Sequence, residues 1–180
     1  MALVRDPGWI LTKNSIISKV VGLFAGLSEE WRGDWKGDIG PEPKISKGEN
    51  YKGLPYVMLD YPRVFGKEDV FAIRTMFWWG HAFSVTLHLK GKYKDLFLPV
   101  IRERRAELSA AGFEMGVSDD EWEHAHTPET YRPFLGGPFE EENIALPFLK
   151  LSAQCGLERW NEAPELLSGL YQTLVKALVP

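Results

Sequence analysis

A chain of 180 residues has room for one domain around one core, and at this length burial holds a fold without disulfides. Its 44% apolar and 26% charged residues exclude a disordered or fibrous chain. Twenty-one Lys and Arg against 25 Asp and Glu leave a net charge of −4, which does not favour nucleic acid as a partner. The unusual entry is aromatic: seven Trp, six Tyr and ten Phe make up 13% of the residues.

The first predicted helix covers about 13–31, where Ile16, Ile17, Val20, Val21, Phe24, Leu27 and Trp31 recur at helical spacing, with Thr12 or Asn14 as its cap. The apolar window 16–27 inside it is interrupted by Ser18 and Lys19 and is shorter than the ~18–20 residues that span a bilayer. No apolar leader ending in small residues opens the chain, and the single cysteine, Cys155, suits a reducing compartment. The expectation is a soluble cytoplasmic protein with no membrane partner.

Residues 32–55, rich in Gly, Pro and charge, read as one long loop, the kind that is functional or disordered when it interrupts a compact domain. It opens on a small duplication, Trp31-Arg32-Gly33-Asp34 then Trp35-Lys36-Gly37-Asp38, which reads as two consecutive turns pinned by Trp side chains. A strand over 56–61 ends at Pro62. Residues 71–77 and 83–89 then alternate strictly, with Phe71, Ile73, Thr75 and Phe77 facing Phe83, Val85, Leu87 and Leu89. A three-residue loop, Trp79-Gly80-His81, pairs Phe77 with Phe83 and Phe71 with Leu89; a two-residue loop would set core positions against Ser84 and Thr86.

A second helix is expected from Asp95, with Pro99 in its first turn, Leu96, Val100, Ile101 and Leu108 inward, and Gly112 as a left-handed stop. Residues 113–117 and 121–126 read as an antiparallel pair, 148–153 as a sixth strand, and a last helix opens at Asn161. The fold class is therefore α+β: a mainly antiparallel sheet of about five to six strands covered by about three helices, in a single domain over 1–180.

No phosphate-loop, dinucleotide, nucleophile-elbow or zincin motif occurs, so the chain leans away from being an enzyme and implies no cofactor. The leading expectation is a non-catalytic module that takes up a small molecule or a peptide. Its cleft is rimmed by Trp78, Trp79 and Trp35, aromatics placed at a hairpin tip and a loop where core packing accounts for them least. Arg74 and His88, on the outward face of the hairpin beside Thr86 and Ser84, supply polar anchoring, with Asp60 or Glu68 as the acid opposite Arg74. An alternative is a metal-dependent hydrolase or oxygenase. His124 and His126, two apart on a strand, share a face with Trp122 and can hold a divalent metal if His88 or one of residues 140–142 adds a third ligand. A third reading is a non-catalytic subunit that buries its exposed aromatics against a protein partner or a second copy in a homo-oligomer.

Overall fold

The computed structural model describes residues 2–35, 40–134, 141 and 143–179. Seven strands form one antiparallel sheet: β1 (Lys44–Tyr51), β2 (Leu54–Phe65), β3 (Val70–Trp78), β4 (Ala82–Lys90), β5 (Glu114–Gly116), β6 (Tyr131–Pro133) and β7 (Phe148–Gly156). Their spatial order is β1-β2-β3-β4-β7-β5-β6. Helices with fully described bounds are the single turn α1 (Ala2–Arg5), the long α2 (Gly8–Trp31), α3 (Lys92–Glu103), α4 (Arg105–Ala110) and α5 (Ala163–Leu178), the last preceded by a 3₁₀ turn at Leu157–Glu162. The fold is α+β with an antiparallel sheet, one strand larger than expected.

The central hairpin has the register that alternation dictates: Phe77 opposes Phe83, Thr75 Val85, Ile73 Leu87 and Phe71 Leu89 across the loop at Trp79-Gly80-His81. The odd positions of β3 and β4 join Leu149, Leu151 and Ala153 of β7 beneath α2, α3 and α5 in the main core. On this side Trp31 lies flat on Tyr171, 3.9 Å between ring centroids, and Trp35 Nε1 donates to the Tyr171 hydroxyl at 2.8 Å. The first half of the Trp-Arg-Gly-Asp duplication is a turn, with Asp34 N–H on Trp31 carbonyl; residues 36–38 of the second half lie outside the described residues.

Several boundaries differ from those expected, each for a local reason. Helix α2 starts at Gly8, where Asp6 Oδ1 accepts the Gly8 N–H, so Thr12 and Asn14 are interior positions. Its first turns carry exposed Trp9, Ile10 and Leu11 all round and so lack the apolar stripe that marks the rest. At 24 residues it is long and apolar enough to cross a membrane by length and composition, but Val20, Phe24, Leu27 and Trp31 are buried in the core. Segment 32–55 is not one loop, because β1 occupies its second half.

Strand β2 runs through Pro62 instead of stopping there, with a register irregularity between Asp60 and Arg63 that takes up the proline's missing donor. Helix α3 begins at Lys92, which puts Pro99 in its interior, and Leu96 faces solvent while Ile101 and Leu108 are buried. The last helix opens at Ala163 behind a 3₁₀ turn that contains Asn161. Gly112 does stop α4 with φ +88°. Residues 121–126 form no strand; β5 pairs instead with β6 and β7. Both sheet edges are guarded against strand addition, β1 by Lys44, Lys47 and Glu49, and β6 by its three-residue length and Pro133.

Candidate functional site

The even positions of the central strands face away from the helices, and they are polar where a sheet face is usually apolar or solvated. Asp60 on β2, Arg74 on β3, Thr86 and His88 on β4, and Lys150 and Ser152 on β7 lie side by side, since Asp60 pairs with Arg74, Arg74 with Thr86, Thr86 with Ser152 and His88 with Lys150. Five of these six are under a tenth exposed, Lys150 at 2% and Ser152 at 0%. What covers them is an irregular strap, residues 117–130. Asp120 shapes it by accepting the Trp122 N–H, and Thr130 Oγ1 closes its far end on the Ala125 carbonyl.

The strap is bolted to the sheet by polar contacts. Arg74 grips Asp60 with two parallel bonds, Nε to Oδ1 at 2.7 Å and Nη2 to Oδ2 at 3.0 Å, and its Nη1 meets His124 Nε2 at 3.1 Å. A guanidinium can only donate, so His124 is neutral with its proton on Nδ1. Ser152 Oγ lies 2.9 Å from His126 Nε2 and 2.7 Å from Thr86 Oγ1, and the His126 ring stacks on Tyr131 at 3.9 Å. The Tyr51 hydroxyl donates to Glu123 Oε1 and accepts the His124 and Ala125 N–H groups. Lys52 and Lys90 hold Glu123 and Glu121 at 2.8 and 3.0 Å, and Lys150 Nζ donates to the Glu123 carbonyl.

These groups titrate far from their ordinary ranges. Burial, with Lys150 and Arg74 adding repulsion, pushes His88 down to about 3 and His124 to about 2; burial and Lys150 push His126 down to about 4. Burial, then the Arg74 charge, brings the Lys150 ammonium down to about 8. Burial would raise Glu123, but bonds from Lys52, Tyr51 and the Ala125 N–H outweigh it and hold the carboxyl at about 2. Burial and the Glu123 bond push the Tyr51 phenol up to about 12.

Two concavities adjoin this network. A small, partly enclosed chamber of about 10 Å³, one water in size, lies between Arg74, Thr86, His88, His124 and Lys150 beside Phe65 and Ala72. Above it Phe65 and Trp122 are 42% and 45% exposed with their rings 6.1 Å apart. The second is an open cleft of about 480 Å³ at the β6 end of the sheet, between Glu114, His126, Tyr131, Arg132 and Gln154, with Pro128 and Pro133 on its rim.

Of the residues singled out in the sequence, Arg74, His88 and His124 share the chamber, and Asp60 is the acid that Arg74 holds. His126 reaches the same network through Ser152 but opens on the cleft. The aromatic trio does not converge. Trp35 is buried in the helix-side core against Phe71, and Trp79 packs edge-on to Phe77 on that same side. Trp78 is buried on the opposite face, stacked on His81 at 3.5 Å with Nε1 on the Tyr51 carbonyl. His124 and His126 sit on an irregular strap and meet Arg74 and Ser152 respectively.

Among the described residues no three His, Cys, Asp or Glu side chains gather as a metal site would need. Of the extra ligands considered, residues 140 and 142 lie outside the described residues, and Glu141 pairs with Arg102. Sequence reasoning missed Lys150, Ser152, Glu121 and Glu123. The signal for Lys150 and Ser152 was present, since both occupy positions alternate to Leu149, Leu151 and Ala153 in an otherwise apolar strand. Comparison with protein families, with curated proteins and with solved structures finds no match, and the functional reading rests on geometry alone.

Proposed function

We propose that the protein is a non-catalytic binding module whose ligand, a small molecule or a short peptide bearing a basic group, occupies the open cleft at the β6 end. The observation that carries this reading is a ligand-sized concavity with a wall fixed from behind. At about 480 Å³ the cleft falls in the usual range for ligand sites. Its His126–Tyr131 stack is held by the buried Ser152–Thr86 pair, so little ordering is left to do on binding. The Glu114 side chain, 41% exposed, faces a basic group; Gln154 offers donor and acceptor, and the prolines offer flat apolar contact. A non-catalytic role agrees with the polar groups behind the wall, where Arg74, Asp60, His124, Thr86, Ser152 and His126 are engaged with one another. The cytoplasm suits the buried free thiol of Cys155, and nucleic acid does not suit the net charge of −4.

The test is an NMR screen of the labelled protein against small molecules and short basic and acidic peptides. Hits are expected to move the Gln154 and His126 resonances, and Glu114→Ala with Gln154→Ala to abolish them without shifting the unfolding transition. Hits that map elsewhere, or that ignore both substitutions, overturn the reading.

A second reading, a subunit that buries apolar surface against another protein, rests on a separate observation. Val4 on α1 and Trp9, Ile10 and Leu11 in the first turn of α2 are 86%, 63%, 58% and 65% exposed. If this end is a contact between copies, light scattering will give more than one chain per particle for the wild type and one for Trp9→Glu/Leu11→Glu; a monomeric wild type removes self-association.

A further inference from the structure

We propose that the small chamber on the polar sheet face is a binding site for one monatomic anion, chloride under ordinary conditions. This site is separate from the cleft and does not depend on it.

Size comes first. A chamber of about 10 Å³ holds one water or one ion of similar radius, and excludes acetate, phosphate and any organic ligand. Charge decides between the remaining occupants. The polar groups that line it are Arg74, Lys150, Thr86, His88 and His124, and no carboxylate is among them. Lys150 is 2% exposed and forms no ion pair with a carboxylate among the described residues; its ammonium has the Glu123 carbonyl and the Tyr131 ring face, 5.8 Å to the centroid. Glu123, Asp120 and Glu121 favour its charge only from beyond contact distance, and a buried ammonium touched by neutral groups alone has room for a counter-charge beside it.

The neighbouring acids do not supply it. Both Asp60 oxygens are engaged by Arg74, and the Glu121 charge is paired through Oε1 with Lys90. His88, which lines the chamber, has its Nε2 buried without a hydrogen-bond partner; Glu121 Oε2, 3.4 Å away and outside hydrogen-bond geometry, is likewise buried and unpartnered. A proton on that nitrogen gives the anion a neutral donor, with Thr86 as another. The charges that act on the His88 and His124 rings are cationic, Lys150 foremost, which also excludes a metal cation from the same space.

Thermal unfolding at fixed ionic strength, with sodium chloride or bromide exchanged for sodium gluconate, tests the site. An anion bound only by the folded state stabilises it by mass action. The wild-type Tm is expected to rise and saturate with either halide, and in Lys150→Met or Thr86→Val to lose that dependence. Chlorine NMR gives an independent readout on the wild-type protein alone, where exchange with the site broadens the chloride line and bromide competes the broadening away. A Tm that is the same in gluconate and halide, together with an unbroadened chloride line, means the chamber holds water only and overturns the proposal.

Discussion

Between about pH 6.5 and 5.5 the protein is expected to lose about 3 kcal/mol of stability, and about 4 kcal/mol more by pH 4.5. Three histidines, His88, His124 and His126, are held neutral in the fold, at about 3, 2 and 4. An unfolded histidine titrates near 6.5. Below that pH the unfolded chain binds up to three protons that the folded chain refuses, so unfolding is favoured as pH falls. The stability is fully present above pH 6.5, and each imidazole costs about 1.4 kcal/mol per pH unit until its folded value is reached.

Glu123, held at about 2 against 4.5, adds a loss of the same sign below pH 4.5. Since a domain is stable by only about 5–15 kcal/mol, acid unfolding is expected to be complete well above the pH at which carboxylates alone would cause it. Urea unfolding at pH 7.5, 6.5 and 5.5 measures the slope, and His126→Asn is expected to reduce it by one proton. A stability that is flat from pH 7.5 to 5 would falsify the buried, neutral state of these rings.

The elements legible in the sequence were those with one face buried in apolar packing. The β3–β4 hairpin was readable to the residue because its odd positions are Phe, Ile, Val and Leu and its loop length follows from keeping those faces together. Strand β1 was not readable. Its sequence Lys-Ile-Ser-Lys-Gly-Glu-Asn-Tyr carries apolar side chains only at Ile45 and Tyr51, since an edge strand on a half-covered sheet is stabilised by its pairing with β2. The strap failed in the opposite direction. Trp122, His124 and His126 alternate as a strand would, yet the N–H groups of Trp122, His124 and Ala125 go to side chains, Asp120 and Glu123 two residues away and Tyr51 far along the chain, which periodicity cannot signal. The same limit divides the site. Arg74 and His88 stood out as polar residues in apolar strands, whereas the aromatic rim dissolved because adjacent Trp residues on a strand face opposite layers.

Asp60→Asn is expected to destabilise the protein by about 3–5 kcal/mol, although it changes little in shape. Asp60 is 6% exposed and directly opposite Arg74 in the β2–β3 register, and both of its oxygens accept guanidinium bonds. The amide keeps one acceptor and turns the other into a donor facing a donor, so Arg74 is left charged, buried and unpaired. Arg74 also presents Nη1 to His124 and lies over the Phe65 ring at 5.5 Å. A displaced guanidinium therefore releases one bolt of the strap as well as the strand pair. Asp60→Leu/Arg74→Met removes both charges, and with similar volume and no orphaned ion it is expected to recover most of the loss. The single variants Asp60→Leu and Arg74→Met should then sum to far more than this double, with a coupling energy of about 2–3 kcal/mol in chemical denaturation. Trp122 fluorescence separates the two consequences. It reports strap release in Arg74→Met, where His124 loses its donor, and should move less in Asp60→Asn. An Asp60→Asn cost below about 1 kcal/mol would put the pair with solvated surface bridges and would mean that the sheet face beneath the strap is wet.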